Sequence, residues 1–393
     1  MNVTEHLAGV AIVGGGYAGL HAARAAAAGG APVTIFDSAG VHGFTTRLAA
    51  VAGGTAPEGD AFAPLDAFDH SVRRARVTGV GDGLLRLDDG TVIIADALVV
   101  TAGARPTAPD LPGIERVLPL RTPSDALRLR RCLDTNTAVS IVGGGATGSQ
   151  LAGAAAVARP GLTVRLVDRE PTLLTGLGDS LGRQTRTILE ERGVTIHLES
   201  GVEQFDDDGL TLAGGRFLEG LVVWAGGFES VVSELGDDLP TDEGRLQVDE
   251  NLRIAGWDRT FGAGDVAAHR RPSGELLPMA AQIAVQAGAA AGGNAARLIR
   301  GDDVEPASLT HRGWVIDLGG GRGVAEIGRV PLASAGIDRL PPLLHYAIDI
   351  KHLLEIGGLA GLRFAPGHHQ PTSADIDLLL AGSRPVAGAA LQP

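Results

Sequence analysis

Short apolar runs, glycine-rich turns and alanine-rich stretches alternate along the chain, and their order repeats. Polar Met1–Leu7 leads into the apolar run Ala8–Val13, which predicts a buried strand. Gly14–Gly16 follow, then alanine-rich residues to Ala28 of helical character, then a second apolar run ending in Asp37. Strand, glycine turn, helix and strand make a βαβ unit. Ser140–Asp168 repeats it, with Gly143–Gly145 at the turn and Asp168 at the end. Each copy continues into two alternating strands, and in the first of them Asp89-Gly90 predicts a hairpin turn. The copies close on apolar strands, Ala97–Thr101 before Ala102-Gly103 and Leu221–Trp224 before Ala225-Gly226. Two matches in the same order predict a duplicated unit.

The stretch to Phe261-Gly-Ala-Gly-Asp265 and a helical segment to about Arg300 then return the chain to the first unit, so that the second is an insertion. The fold class expected is therefore α/β, with two Rossmann-like three-layer dinucleotide-binding domains, the second inserted in the first. Residues 1–120 and 245–308 would form the first domain, 121–244 the second, and 309–393 a small C-terminal α+β region. In that region Trp314–Leu318 and Val324–Ile327 alternate as strands, Pro342–Ile356 is an apolar helical stretch, and a short helix is expected beyond His368.

Composition narrows the function. Of 393 residues, 44% are hydrophobic and 20% charged, an ordinary globular balance, while the 58 glycines imply many tight turns and close backbone approaches. A net charge of −13 argues against nucleic acid as a partner and against strong docking on anionic lipid. Cys132 is the single cysteine, so neither an intrachain disulfide nor a cysteine-ligated metal site is expected. The N-terminal residues carry no signal-type segment, and no apolar run is long enough to span a bilayer, which predicts a cytoplasmic protein.

The glycines carry the chemistry. Gly14-x-Gly16-x-x-Gly19 follows a strand and opens a helix. The first glycine permits the turn, the second lets a pyrophosphate approach the backbone, and the third lets helix and strand pack closely. Asp37 stands where a carboxylate binds the ribose hydroxyls of an adenosine. Gly143-x-Gly145-x-x-Gly148 with Asp168 repeats the constellation. Asp168 favours NADH because its charge repels a 2′-phosphate; the adjacent Arg169 leaves NADPH open.

Up to about Arg300 the chain resembles the FAD/NAD(P)-dependent pyridine nucleotide oxidoreductases. The resemblance implies FAD in the first copy, the nicotinamide nucleotide in the inserted copy, and a flavin contact from Asp265, within a segment similar to the family's second FAD motif. The lone cysteine removes the branches that work through paired cysteines. Among the remaining branches the chain is most similar to the type II NADH:quinone oxidoreductases. Three segments carry that likeness: Val41–Leu48, Leu221–Gly227, and Ala281–Gly288 with its two glutamines, followed by Asn294. The nucleotide-binding residues so expected are Gly14, Gly16, Tyr17, Ala18, Gly19, Asp37, Arg47, Thr101, Gly103, Gly143, Gly145, Thr147, Gly148, Asp168, Gly226, Gly264, Asp265 and Gln282.

The activity implied is transfer of a hydride from NADH to FAD and onward reduction of a quinone. Gln150, Gln282 and Gln286 are the side chains nominated to assist. Gln282 and Gln286, four residues apart, share a helix face where the resemblance places a quinone head group; their structural alternative is to satisfy buried backbone groups. Gln150 departs from the family's glutamate and cannot relay a proton. His345 and His352 are further proton sources, although a lone histidine is more often structural. The apolar stripe through Leu343, Leu344, Ala347, Ile348, Leu353 and Leu354 reads as core or a homodimer face rather than a membrane anchor, because Asp349 and Glu355 suit anionic lipid poorly, so membrane contact at the inner face is at most peripheral. Rival activities are a reductase for a small redox protein and a flavoenzyme for a small organic substrate. A non-enzymatic redox sensor would also bind both nucleotides.

Overall fold

The computed structural model describes residues 3–328, 330–332 and 337–381. Its organising element is a sheet whose parallel part runs Ser71–Arg74, Val33–Asp37, Thr4–Val13, Val92–Val100 and Thr260–Gly262. Leu84–Leu87 and Val77–Gly81 extend it by antiparallel pairing. The first strand starts earlier than its apolar run predicts. Thr4–Leu7 pair with Val92–Ala95 across a break in register before Val10, and Gly9 (φ 99°) makes the bend.

A second, wholly parallel sheet runs Thr195–His197, Thr163–Val167, Ala138–Val142, Leu221–Trp224 and Leu118–Pro119. In both sheets the strand before the glycine turn is central, with the Asp-terminated strand on one side and the closing strand on the other. The duplication read in the chain is thus a duplication of topology, and the fold is α/β with two Rossmann-like units. An antiparallel ribbon, Ala104–Pro106 with Phe228–Ser230, carries the chain out of the first unit and back. The second sheet lies wholly between those two crossings.

Helix α1 (Tyr17–Ala28) packs along α6 (Ala281–Arg300). The small residues of both helices have one physical reason: a Cβ on Gly288 or Gly292 would lie 2.1 Å from the carbonyl oxygen of Ala18 or Ala22. Such close packing admits only glycine there. The two units meet through α2 (Leu48–Gly53), which lies against α3 (Pro123–Thr135) and α4 (Ala146–Ala158). Arg130 and Arg159 of the second unit donate to the terminal carbonyls of α2, Val51 (3.0 Å) and Gly53 (2.5 Å). Cations at a helix C-terminus complement its dipole. Helix α5 (Asp179–Glu191) completes the second unit.

The C-terminal region pairs Gly313–Asp317 with Gly323–Ile327, close to the predicted strands, then forms α7 (Leu340–Gly361, interrupted at Gly358) and α8 (Ser373–Ala381). Of the stripe expected on α7 as core or a homodimer face, Leu353 is core and the others are not. Leu343, Ile348 and Leu354 are exposed, at 67%, 46% and 40%, while Asp349, His352, Leu353 and Ile356 are buried. The reason is a polar partner on the first unit for each buried polar side chain.

Candidate active site

The glycine turns are built alike. Gly14 and Gly143 adopt positive φ (97° and 116°), and a Cβ on either would collide with a carbonyl of the closing strand's end, Thr101 or Ala225. A Cβ on Gly19 or Gly148 would stand 1.9 Å from the oxygen of Gly14 or Gly143, the close helix–strand approach expected of the third glycine. Gly16 and Gly145 differ: a Cβ on either meets nothing within 4 Å. Both are N-terminal caps, of α1 and α4, with no capping side chain and no acidic residue in the first turn. Each helix therefore presents uncompensated N–H groups to open space, which fits an anionic pyrophosphate.

The carboxylates brace these turns. Asp37 Oδ2 accepts from Gly15 N–H (2.9 Å), and its Oδ1 accepts from Ala39 and Gly40. Asp168 takes Gly144 N–H with one oxygen and Glu170 N–H with the other. Thr101 Oγ1 donates to Val13 and Gly14 carbonyls at 2.8 and 3.0 Å, tying the closing strand to the turn. Arg169 is exposed and faces Glu170.

One cavity of about 210 Å³ lies between the units. The first unit walls it with Gly16, Tyr17, Ala18, Thr101, Gly103, Gly264 and Asp265, and α4 of the second unit contributes Thr147 and Gln150. Nine of the residues expected from the chain alone thus converge on one space. Gly14, Gly19 and Asp37 shape its turn from behind. Gly143, Gly145, Gly148, Asp168 and Gly226 belong to the second glycine turn and the closing strand beside it. The Gln150 side chain has no hydrogen-bond partner among the described residues and is free to meet a ligand.

Arg121 and Phe228 were not foreseen, and both line the cavity. Arg121 Nη2 pairs with Asp265 at 2.7 Å, its Nε donates to Ala104 O, and its guanidinium lies 4.7 Å over the Phe228 ring. Its only local signal is the capping box of α3, Thr122 with Asp125, which marks a helix start and nothing about a pocket.

Three expected residues are otherwise engaged. Gln282 bonds Gly313 O and Arg312 N–H, and Gln286 bonds the Thr310 backbone, so both amides hold the 310–313 segment onto α6. Arg47 is 4% exposed, with Nε on Asp349 at 2.8 Å and Nη1 on Phe364 O, while Nη2 has no partner. Its neighbours Thr45, Thr46 and Leu48 line the cavity. Tyr17 shares a 2.9 Å hydrogen bond with Thr46, and burial first, then Asp349, pushes its phenol well above the usual range.

The two turns built alike, the first of them lining an inter-unit cavity that α4 also walls, define a fold of the dinucleotide-binding oxidoreductase class. A family profile described as pyridine nucleotide-disulphide oxidoreductase matches residues 8–288, and the chain belongs to that family. It is an enzyme of the NAD(P)H dehydrogenase kind. An NADH dehydrogenase-like protein of Mycobacterium tuberculosis is 31% identical, with 72% of this chain and 79% of that protein covered. A type II NADH:quinone oxidoreductase of Staphylococcus aureus is 28% identical over 52% of this chain and 51% of its own length, so that match spans about half of the relative. Among solved structures, NDH2 from Plasmodium falciparum in complex with NADH superimposes with a TM-score of 0.76 at 13% identity, covering 95% of this chain and 97% of that one. A ferredoxin reductase from Rhodopseudomonas palustris gives 0.71 at 22%, covering 83% and 82%. These likenesses show the fold. Among the described residues no helix is long and apolar enough to cross a membrane.

Proposed function

We propose that the chain is an FAD-dependent NADH dehydrogenase that passes electrons to a quinone, with FAD in the first unit and NADH in the second. The observation that carries this is the cavity walled by both units, with Gly16 and Asp265 on one side and Thr147 and Gln150 on the other. FAD bound there would supply a two-electron acceptor for the hydride of NADH and a donor for the quinone. The protein's part is positioning. The uncapped starts of α1 and α4 hold pyrophosphates, Asp37 and Asp168 face ribose hydroxyls, and Arg121 with Asp265 lines the space between the units. Gln150 offers an uncharged hydrogen bond at the junction. Gln282 and Gln286 shape the acceptor side through the 310–313 segment they hold. The name of the Staphylococcus aureus relative supports a quinone acceptor, and the protein would work on the cytoplasmic side, touching the membrane peripherally at most.

The test is anaerobic addition of NADH to the purified protein, then a soluble quinone, followed by the flavin spectrum. Bleaching and quinone-driven recovery are expected. Bleaching without recovery would move the acceptor elsewhere, and a protein that takes up no flavin on reconstitution would remove the reading altogether.

Nucleotide preference has its own test. Asp168→Asn keeps an acceptor for Gly144 N–H but removes the charge that repels a 2′-phosphate. The NADPH-to-NADH ratio of kcat/KM is expected to rise by about tenfold, roughly 1.4 kcal/mol. An unchanged ratio would take Asp168 away from the ribose.

A further inference from the structure

Three histidines far apart in the chain form one hydrogen-bonded line through the interior. His42 Nδ1 lies 3.0 Å from Gly15 O, His42 Nε2 lies 3.0 Å from His352 Nε2, and His352 Nδ1 lies 3.1 Å from His21 Nε2. All three residues are buried, at 5% exposure or less. The line joins the first glycine turn, α1 and α7.

A carbonyl only accepts, so its protons have one neutral arrangement. His42 must donate from Nδ1, which leaves Nε2 to accept. His352 must then donate from Nε2 and accept at Nδ1, and His21 must donate from Nε2. Three neutral imidazoles carry three protons, and the three contacts use all of them. One extra proton fits, on Nδ1 of His21. A second has no place without setting two N–H groups against each other.

We propose that the His21–His352–His42 relay is a pH-sensitive latch that holds α7 against the first glycine turn and releases it on acidification. The charges facing it are Arg24 from α1, Lys351 and Glu355 from α7, and Arg47 beside His42. Asp349 faces Tyr17, whose ring is tilted against His352 with centroids 4.4 Å apart. Glu355 favours a charged His21, but burial outweighs it. Burial holds His21 down at about 4 and His42 at about 3, and depresses His352 further, with the neighbouring histidines acting in the same direction.

The sign follows. An exposed histidine titrates near 6.5, and these titrate lower when α7 is docked, so the latch is fully closed above that pH and weakens as pH falls below it. By pH 5 protonation of the exposed imidazoles favours the open form over the docked one, which it does not do above their ordinary range. Release also removes Asp349 from Arg47 and Thr46, and Thr46 lines the cavity. The latch stands on this geometry whatever occupies the cavity.

The experiment is hydrogen–deuterium exchange on the full chain with its flavin, at pH 7.5 and 5.0, with times scaled for intrinsic exchange. Peptides covering 340–361 are expected to lose protection by at least about tenfold at pH 5.0 while those covering 138–167 keep theirs. Equal α7 protection at both pH values, or loss in step with 138–167, would overturn the proposal. Imidazole nitrogen NMR at pH 7.5 should find His42 protonated at Nδ1 and His21 and His352 at Nε2; another arrangement also overturns it. The double variant His21→Gln/His352→Gln should lose most of the pH dependence, and an undiminished dependence counts against the latch. Should that variant not fold, the two wild-type measurements decide.

Discussion

Gly16→Val is expected to give a folded protein that no longer retains FAD, and Gly145→Val one that keeps its flavin but is no longer reduced by NADH at ordinary concentrations. Neither position asks for glycine on backbone grounds. Their φ angles, −73° and −71°, suit any residue, and an added Cβ meets no protein atom within 4 Å. The open space belongs to a ligand. A valine would push a pyrophosphate off the helix N-terminus, an affinity loss of about 100-fold, or roughly 2.7 kcal/mol. Visible absorbance of the purified variants, FAD titration and stopped-flow reduction separate the two effects. Exchanged phenotypes would reverse the assignment of the nucleotides to the two units. Unfolding of both variants would mean that the space is structural. Gly19→Val is the contrasting control, because its side chain would enter the carbonyl of Gly14 and the turn itself should fail.

The second large effect is on stability. Asp349→Ala is expected to destabilise the protein by about 3–5 kcal/mol, since it strands a buried guanidinium. Arg47 and Asp349 have side chains 4% and 5% exposed, and among the described residues Arg47 otherwise bonds Phe364 O and lies with its guanidinium carbon 4.1 Å from the Phe44 ring, the buried Asp60 acting on it only through space. Replacing both partners by apolar residues of similar volume, Arg47→Met with Asp349→Leu, should recover most of the loss, because the two charges go together and buried Asp60 keeps the Gly367 N–H. Denaturant midpoints of the three proteins check both statements. A single variant within about 0.5 kcal/mol of the parent would show that water reaches Arg47.

What could be read from the chain followed from local rules. A tight turn, a close helix–strand approach and a strand-end carboxylate each need a particular residue at a fixed spacing, so Gly14, Gly19, Asp37 and their second copies were visible in order. The C-terminal strands and α7 were visible through their period. Arg121 was not, because it earns its place by meeting Asp265, 144 positions away. The glutamines of α6 were visible as a pair on one face, but not the 310–313 backbone they hold.

Helix α7 marks the boundary most sharply. Hydropathy marked a stripe of leucines as core or a homodimer face and gave Asp349 and His352 no buried partner, because an isolated charge or imidazole is expensive to bury. A signal was present, since Asp349, His352 and Ile356 lie three and four residues apart on one stripe. It had no meaning until partners were known.

The sequence by itself determined the α/β class, the duplicated nucleotide-binding unit and the residues of both glycine turns, since these depend on contacts within some thirty residues along the chain. Only the tertiary structure decided which of those residues share a cavity and that Arg121 joins them. It also decided that Arg47 faces Asp349 across 302 positions and that three histidines align over as many as 331. A buried polar group is stable only beside its partner, and no period or spacing records a partner that the fold brings from the other end of the chain.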